Sequence, residues 1–292
     1  MSKLLVTGAS GHLGQLVLRH LIETEKVPPS QIIATTRKPE SLADWAAKGV
    51  EVRVADFNEV ASLQQAFAGA GRLLLISTDG VGTRLTQHGN AIKAAEAAGV
   101  QHIIYTSMPD PANSLVSFAP EHLATEQLLE QSTLTWTILR DSWYFENILH
   151  SAGVWLATGK AYTAAGEGKL SHIAREDLAR VAAKVLASNN SENRIYTLTG
   201  AEAFTTQEIV DLVAKTAGKT IQVIQVGVPD IVAGAVHAGL PEPIAQMVAS
   251  FDANIAAGQF AAITSDFTTL TGRAPLPFAQ WLAEHKSALV AH

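Results

Sequence analysis

The fold is decided by a stretch near the start of the chain, Lys3-Leu4-Leu5-Val6-Thr7-Gly8-Ala9-Ser10-Gly11-His12-Leu13-Gly14. A strand-like apolar run comes first, and a helix-like run opens among the glycines. Gly8 permits a sharp turn from strand to helix, Gly11 lets backbone amides approach a pyrophosphate, and Gly14 lets the helix pack close to the sheet. An anion bound there would lie on the positive end of the helix. The stretch therefore predicts a dinucleotide-binding turn, and the alternative is a glycine-rich turn without a ligand.

The same step from strand to helix repeats along the first 140 residues. Short apolar, β-branched runs predict six strands: Lys3–Val6, Gln31–Thr35, Val50–Val54, Leu73–Ile76, His102–Thr106 and Thr135–Leu139. Helical spacing between them predicts five helices: Gly11–Glu25, Ser41–Lys48, Glu59–Phe67, Leu85–Ala98 and Glu121–Gln131. Gly49 and Gly99 each follow a helix and precede a strand, which is typical of left-handed caps. The alternation indicates an α/β fold, a Rossmann-type doubly wound parallel sheet.

After Arg140 this regular alternation ends, which indicates a second, smaller lobe. Helices are predicted at Trp143–Thr158, Arg175–Ala187 and Thr206–Lys215, and strands at Ile195–Leu198 and Ile221–Val226. We expect an NADP-binding Rossmann domain over residues 1–150, to which residues 172–200 return. A smaller α/β lobe that covers the substrate is expected over residues 151–292.

Composition excludes several classes of protein. The chain has 292 residues and no cysteine, which excludes disulfides, thiolate metal sites and cysteine nucleophiles. The formal net charge of −6 and the lack of a basic stripe disfavour nucleic-acid binding. No apolar run approaches the roughly 20 residues that cross a bilayer, and a strand-like run at the very start disfavours a signal peptide. The scattered histidines favour no metal site. We expect a soluble cytoplasmic protein, and a homodimer is compatible with the sequence.

The end of the second predicted strand distinguishes between the two nicotinamide dinucleotides. An NAD site places an acidic residue there to bond the ribose hydroxyls. The chain has Ala34-Thr35-Thr36-Arg37-Lys38-Pro39 instead, with no acid. The Arg37 guanidinium suits a 2′-phosphate through a bidentate, charge-assisted contact. The sequence therefore favours NADPH, and Lys38 either assists or is only solvated.

Other strand ends supply further candidates for cofactor binding. Asp56 and Phe57 follow the third strand, where they would lie beside the adenine; the alternative is that Asp56 caps a helix and Phe57 joins the core. Ser77 and Thr78 follow the fourth strand, where small residues allow a ribose and nicotinamide to pass closely. With these and Arg37, the predicted cofactor-binding set includes the turn residues Gly8, Ser10, Gly11, His12, Leu13 and Gly14. His12 either donates to the phosphates or is an ordinary loop histidine.

Seven segments carry a family resemblance: Thr7–Gly14, Thr36-Arg37, Ala55-Asp56-Phe57, Leu74–Ser77, Tyr105-Thr106-Ser107, Glu121–Glu126 and Leu139–Asn147. Together they resemble the NmrA-like branch of the atypical short-chain dehydrogenase/reductases. Within it they are most similar to bacterial type 2 NADPH:quinone oxidoreductases, with triphenylmethane reductase as a near relative. The resemblance implies a Rossmann domain, a small C-terminal α/β lobe and a substrate between them. It implies NADPH-dependent quinone reduction or, alternatively, a non-catalytic NADP-binding redox sensor.

The catalytic pattern of typical short-chain dehydrogenases is incomplete in this chain. Those enzymes use a serine together with Tyr-x-x-x-Lys, whose tyrosine is the acid. Ser107 fits the serine position, but Glu121 and Thr125 stand where the tyrosine and the lysine are expected. A quinone needs little acid assistance, because hydride addition makes a delocalised anion that water protonates later. His122 is the remaining candidate proton donor, and the alternative is a helix-surface histidine paired with Glu126.

Aromatic residues just past the sixth strand predict the substrate wall. Trp143, Tyr144 and Asn147 are the candidate substrate-binding residues, because a flat quinone or related aromatic acceptor would stack on such rings. The alternative is that the aromatic residues anchor the small lobe. We expect Phe145 in the core and Arg140 paired with a carboxylate.

Overall fold

A computed structural model describes residues 2–290 of the chain. This part contains eleven strands: β1 (Lys3–Val6), β2 (Ile32–Thr36), β3 (Glu51–Val54), β4 (Ala70–Leu75), β5 (His102–Ser107), β6 (Thr135–Asp141), β7 (Lys160–Thr163), β8 (Lys169–Leu170), β9 (Arg194–Leu198), β10 (Phe204–Thr205) and β11 (Gln222–Gln225). It also contains thirteen α-helices: α1 (His12–Glu23), α2 (Ala43–Ala47), α3 (Val60–Phe67), α4 (Arg84–Ala97), α5 (Ala119–Gln131), α6 (Ile148–Thr158), α7 (Arg175–Ala187), α8 (Thr206–Ala217), α9 (Val228–His237), α10 (Glu242–Ala256), α11 (Asp266–Thr271), α12 (Phe278–Glu284) and α13 (Lys286–Val290).

The predicted doubly wound sheet is confirmed. Seven strands lie in the order β3-β2-β1-β4-β5-β6-β9, and the pairs from β3 to β6 are all parallel. The strand order reverses at β1, so the carboxyl ends of β1 and β4 flank the topological switch point where ligands bind in such sheets. β2 is buried along its whole length, as a sheet covered on both faces requires.

Two compact units share the chain. The first comprises Met1–Met108, Pro120–Asp141 and Glu176–Thr197, and the second comprises Pro109–Ala119, Ser142–Arg175 and Leu198–His292. The division differs from the predicted boundaries, because residues 109–119 and 142–150 belong to the second unit. Asn254 explains the first difference: its fully buried amide oxygen accepts from the N–H of Leu115 (2.7 Å) and the hydroxyl of Ser114 (3.0 Å).

Helix ends in the first unit follow local chemistry. Gly49 and Gly99 adopt positive φ angles of 94° and 75°, so both predicted left-handed caps are confirmed. The predicted helix at Ser41–Lys48 is instead a 3₁₀ turn over Pro39–Leu42 followed by the short α2. Pro39 fixes its own φ and starts the turn earlier than the apolar pattern indicated.

The segment after β6 is only partly helical, so the predicted helix at Trp143–Thr158 begins too early. Residues 143–145 run beside Ile173, whose N–H donates to the carbonyl of Trp143 (3.0 Å) and whose carbonyl accepts from the N–H of Phe145 (3.0 Å). A 3₁₀ turn at Phe145–Asn147 then leads into α6. Tertiary backbone pairing therefore overrides helical propensity over these first residues.

Three short strands of the second unit were not predicted. β7 pairs in parallel with β11, and β8 pairs antiparallel with β10. β7 has only four residues, too few to show a clear period, and its partner strand β11 lies far along the chain. Local sequence therefore gives little sign of β7. A separate core of aromatic and aliphatic side chains, including Phe145, Phe278 and Trp281, fills this unit.

Candidate functional site

The glycine turn connects β1 to α1 as predicted. Gly8 has a positive φ of 57°, which glycine adopts without steric cost. The Thr7 hydroxyl donates to a β4 carbonyl (3.1 Å) and accepts from the N–H of Ile76 (3.0 Å), which ties the turn to the neighbouring strand. α1 starts at His12, and its N-cap Gly11 supplies no side-chain cap. The first amides of this helix therefore point to a site that suits an anion.

Gly14 lies where α1 packs against the turn. A Cβ at this position would lie 2.4 Å from the carbonyl oxygen of Gly8 and 2.7 Å from the Cα of Ala9, well inside van der Waals contact. The close approach predicted for this glycine is confirmed. Gly11 differs, because its backbone is extended and a Cβ there would lie 3.3 Å from the same oxygen. The fold itself therefore requires glycine at position 14 more strictly than at position 11.

The carboxyl ends of β1 to β4 enclose a cleft of about 300 Å³. Its lining comprises Gly8, Ser10, Gly11, Thr35, Thr36, Arg37, Ala55, Asp56, Phe57, Asn58, Ile76, Ser77, Thr78, Asp79 and Gln87. Eight predicted cofactor residues are among them: Gly8, Ser10, Gly11, Arg37, Asp56, Phe57, Ser77 and Thr78. The other three do not line the cleft, because His12 is exposed at the start of α1 and Leu13 and Gly14 are buried beneath the turn.

Six of the seven lining residues that sequence reasoning missed lie at the same strand ends. Asn58 and Asp79 are one residue beyond predicted ones, and the others at strand ends are Thr35, Thr36, Ala55 and Ile76. Gln87 is the exception, because it comes from α4. Gln87 accepts at Oε1 from the Thr78 hydroxyl (2.7 Å) and donates from Nε2 to the Asn58 side chain (3.2 Å), so it bridges two loops of the cleft. Proximity to strand ends would have indicated the first two residues, whereas no local motif indicates Gln87.

At the end of β2 the cleft presents a cation and no carboxylate. Arg37 is exposed and lines the cleft, and the preceding Thr36 anchors the strand end. The Thr36 hydroxyl lies 2.9 Å from that of Ser10 and accepts from the N–H of Lys38 (3.1 Å). These contacts fix the backbone on either side of Arg37 against the glycine turn.

One alternative for Asp56 is wrong. α3 begins at Val60 and is preceded by Glu59 at its N-cap, so Asp56 does not cap it. Its carboxylate instead accepts from the N–H (2.9 Å) and side-chain amide (3.0 Å) of Asn58, which shapes a local turn at the edge of the cleft. Phe57 is half-buried, with contacts both to the core and to the cleft.

The two α5 positions that would carry the tyrosine and lysine are committed to structural contacts. Glu121 Oε1 accepts from the N–H of Gly82 (2.8 Å), and its Oε2 lies 3.4 Å from Nη1 of Arg84. Thr125 is fully buried and donates to the carbonyl of Glu121 (2.8 Å). Neither residue lines the cleft.

Ser107 belongs to a buried ion-pair group. Its hydroxyl donates to Oε1 of Glu126 at 2.6 Å. Arg140 binds the same carboxylate through two hydrogen bonds, Nη2 to Oε2 at 2.6 Å and Nε to Oε1 at 3.0 Å. The carboxylate partner predicted for Arg140 is therefore Glu126, and that prediction is confirmed.

His122 is buried rather than exposed, so its helix-surface alternative is wrong. The residue is 4% exposed, its Nδ1 lies 2.7 Å from the Tyr105 hydroxyl, and its Nε2 lies 3.4 Å from Nη1 of Arg84. Burial lowers the pKa of His122 to about 3, and the Arg84 charge contributes to the decrease. Glu126, its expected partner, binds Arg140 instead.

The predicted substrate residues lie in the second unit. The half-buried ring of Trp143 packs on Phe251 of α10 with centroids 4.1 Å apart, and Phe118 meets Phe251 edge-on at 5.8 Å. The Arg175 guanidinium lies 5.1 Å from the ring centroid of Tyr144. Asn147 is half-buried just before α6, and Phe145 is 2% exposed in the core, as predicted. The partners of Trp143 come from distant segments that sequence reasoning missed.

Within residues 2–290, no group of three or more His, Asp and Glu side chains is placed to hold a metal ion. In the same part of the chain, no helix is both long and apolar enough to cross a bilayer.

A family model described as NAD(P)H-binding matches residues 8–189, from the glycine turn to just past α7. The chain belongs to the NAD(P)H-binding family. Among relatives of this NAD(P)H-binding protein, quinone oxidoreductase 2 of Escherichia coli is 40% identical, over 87% of this chain and 88% of the relative. An NmrA-like family domain-containing oxidoreductase of Aspergillus flavus is 30% identical, over 94% of this chain and 91% of the relative, which places the chain in the NmrA-like branch.

Solved structures of family members share the complete architecture. The NADPH-dependent quinone oxidoreductase QOR2 of Escherichia coli, complexed with NADPH, superposes with a TM-score of 0.92 at 37% identity, over 98% of this chain and 99% of that one. Triphenylmethane reductase of Citrobacter sp., complexed with NADP(H), gives a TM-score of 0.89 at 35% identity, over 97% of this chain and 99% of that one. The predicted fold and NmrA-like resemblance are thereby confirmed.

Proposed function

We propose that this protein is an NADPH-dependent oxidoreductase that reduces quinones by direct hydride transfer. One observation carries the proposal: eight predicted cofactor residues line one cleft, while the α5 positions of the catalytic tyrosine and lysine hold Glu121 and Thr125, both in structural contacts. An enzyme that interconverts alcohols and ketones needs a group that transfers the hydroxyl proton, whereas an enzyme that reduces a quinone does not need such a group. The likeness to quinone oxidoreductase 2 supports the same activity.

The residues of the cleft fit NADPH. The uncapped start of α1 offers amides to a pyrophosphate, and Gly11 keeps that approach clear. Arg37 supplies the cation for a 2′-phosphate, and the position lacks the carboxylate that would repel it. Ser77 and Thr78 line the cleft where β4 ends, which suits the ribose next to the nicotinamide.

Bound NADPH would supply a hydride from C4 of its nicotinamide. The quinone takes up this hydrogen with its two electrons and becomes a delocalised hydroquinone anion, which then takes one proton from solvent. NADPH, quinone and one proton thus give NADP⁺ and hydroquinone. The protein's contribution is orientation: it holds the nucleotide and presents an aromatic surface to the acceptor.

We assign acceptor recognition to the aromatic group around Trp143. Its half-buried ring is held in place by Phe251, so a flat acceptor could stack on a surface that is already ordered. Tyr144 and Asn147 stay in the proposed acceptor set because both are half-buried and lie one and four residues after Trp143. A cytoplasmic location is part of the proposal, since NADPH is supplied inside cells.

The function is tested by following NADPH oxidation at its absorbance band with benzoquinones and naphthoquinones. Sustained turnover that depends on both the protein and the quinone is the expected result. NADPH binding by calorimetry without turnover of any quinone would instead support a redox sensor. Absence of both binding and turnover would overturn the proposal.

Replacing Arg37 with alanine should remove most of the preference for NADPH over NADH. The wild type should favour NADPH by roughly 1–3 kcal/mol, the range of a charged hydrogen bond, which is about 5- to 150-fold in Kd. Affinity for NADH should hardly change, because NADH lacks the 2′-phosphate. Calorimetric titration of both nucleotides measures this. Lys38→Ala is the matched control and should keep the preference, because Lys38 is exposed and is not among the residues that line the cleft. Equal wild-type affinity for the two nucleotides would contradict the assignment.

A further inference from the structure

Buried side chains of α4 bind both the backbone N–H and the backbone carbonyl of Thr78. The Thr78 N–H donates to Nε2 of His88 (3.1 Å), and the Thr78 carbonyl accepts from Nε of Arg84 (2.7 Å). His88 is 0% exposed and Arg84 is 6% exposed. Thr78 itself lines the cleft, so these buried contacts determine where one wall of the nucleotide site lies.

The hydrogen bonds of His88 fix its tautomer. A backbone N–H can only donate, so Nε2 of His88 must be the bare, accepting nitrogen. Nδ1 therefore carries the hydrogen and donates to the Thr125 hydroxyl at 3.0 Å. The Thr125 hydroxyl in turn donates a hydrogen bond to the carbonyl of Glu121 (2.8 Å), so each polar atom in this series of hydrogen bonds has a partner.

The surroundings keep His88 neutral. Burial lowers the pKa of His88 to about 3, and the neighbouring His122 and Arg84 contribute to the decrease. A second proton would have to sit on Nε2, where it would face the Thr78 N–H. The His88 and Tyr105 rings pack edge-to-face with their centroids 5.2 Å apart, which leaves the imidazole little freedom to rotate.

We infer that His88 is a positioning residue for NADPH: through its Nε2 it fixes the Ser77–Thr78 segment in the place that the nucleotide requires. This inference rests on the proposed NADPH function. Glu121 also holds the same loop, by accepting a hydrogen bond from the N–H of Gly82. The α5 positions that carry the catalytic tyrosine and lysine in typical short-chain dehydrogenases therefore serve here to shape the cofactor site. His88 therefore acts through the loop and does not transfer protons.

Substitution of His88 by each of the two amide residues distinguishes the roles of its two ring nitrogens. His88→Gln can place an amide oxygen near the position of Nε2 and accept from Thr78. The shorter His88→Asn reaches only the position of Nδ1, and leaves the Thr78 N–H without its acceptor. His88→Asn is expected to weaken NADPH binding roughly 5- to 30-fold, as the loss of a hydrogen bond to a half-buried donor implies. His88→Gln should recover most of that affinity.

The readouts distinguish positioning from a general loss of stability. NADPH Kd is measured by calorimetry, and the decrease in kcat/KM for NADPH should arise through KM. His102→Asn is the matched control, because His102 is equally buried between the Thr135 and Thr137 hydroxyls, away from the Ser77–Thr78 segment. It should lower Tm without changing the Kd for NADPH.

Each outcome has a defined meaning. Equal affinities of His88→Asn and His88→Gln, or an equal loss in His102→Asn, would overturn the role of His88 while leaving the proposed function intact. A wild type that does not bind NADPH would overturn both. Hydrogen exchange of the wild type needs no variant: a protected Thr78 amide supports the inference, and one that exchanges as fast as an open loop overturns it.

Discussion

Replacing Gly14 with alanine is expected to damage both the stability and the nucleotide affinity of the protein. The added Cβ would lie 2.4 Å from the Gly8 carbonyl oxygen and 2.7 Å from the Cα of Ala9. Both are backbone atoms, so no side-chain rotation can relieve the clash and α1 must move away from the turn. Overpacking of this kind costs on the order of 1–3 kcal/mol, or roughly 3–10 °C in Tm. NADPH Kd should rise by at least about tenfold, because the α1 amides move with the helix.

Gly11→Val is the matched variant for this test. Its backbone is already extended, and the nearest atom to an added Cβ is the Gly8 carbonyl oxygen at 3.3 Å, so a shift of a few tenths of an ångström relieves the contact and Tm should fall less than in Gly14→Ala. Nucleotide binding should nevertheless be abolished, because the side chain occupies the path of the pyrophosphate. Thermal melts and calorimetry on both variants measure the contrast. Normal NADPH binding by Gly11→Val would reduce the motif to a plain turn.

The second large effect is a contrast between substrates. NADPH-dependent reduction of simple quinones should proceed, while NADP-dependent oxidation of secondary alcohols should be negligible. Alcohol oxidation requires a base for the hydroxyl proton, and the committed contacts of Glu121 and Thr125 leave neither position of α5 to supply it. A positioned acid or base contributes about 10²–10⁴-fold, which sets the size of the expected difference. Initial rates with both substrate classes at saturating nucleotide measure it.

His122→Ala checks the same chemistry from the other side. Quinone turnover should fall by much less than the roughly 10²-fold loss of an essential acid, although Tm should fall because the Tyr105 hydroxyl loses its hydrogen bond to His122. An acid with a pKa of about 6.5 would lose activity as the pH rises through that value. With the pKa of His122 lowered to about 3, this residue should cause no such change between about pH 5 and 8. Complete loss of turnover, or efficient alcohol oxidation by the wild type, would show that the chemistry is misassigned.

The parts of the molecule that sequence predicts well have local causes. Gly8 and Gly14 are required by a positive φ and by a backbone approach that occur within the turn itself. The six strands β1 to β6 lie within a few residues of their predicted bounds, because short β-branched runs that are apolar on both faces are typical of a covered parallel sheet. The place of Arg37 on the cleft can be predicted from sequence because the residue directly follows one strand end.

The parts that sequence misses depend on partners far away in the chain. The polar residues of α5 look like a solvated face, yet His122 and Thr125 are buried because α4 and β5 supply a hydrogen-bond partner for each. The same holds for Trp143, whose ring partner Phe251 lies on α10. Pairing of this kind leaves no local periodicity from which it could be inferred.

The interleaving of the two units also sets the order in which the chain can fold as it is synthesised. β9, which covers the outer edge of β6, and α7 both emerge from the ribosome only after the first segment of the second unit. A nascent chain that stops at residue 150 would present β6 as an unpaired edge, the kind of surface that pairs with other chains. Residues 109–119 can complete their contacts even later, after Asn254 has been synthesised. The first unit is fully synthesised only at Thr197 and the second only near the end of the chain, so we expect most folding late in translation. A gene fragment ending at residue 150 would encode a sheet with an unpaired edge.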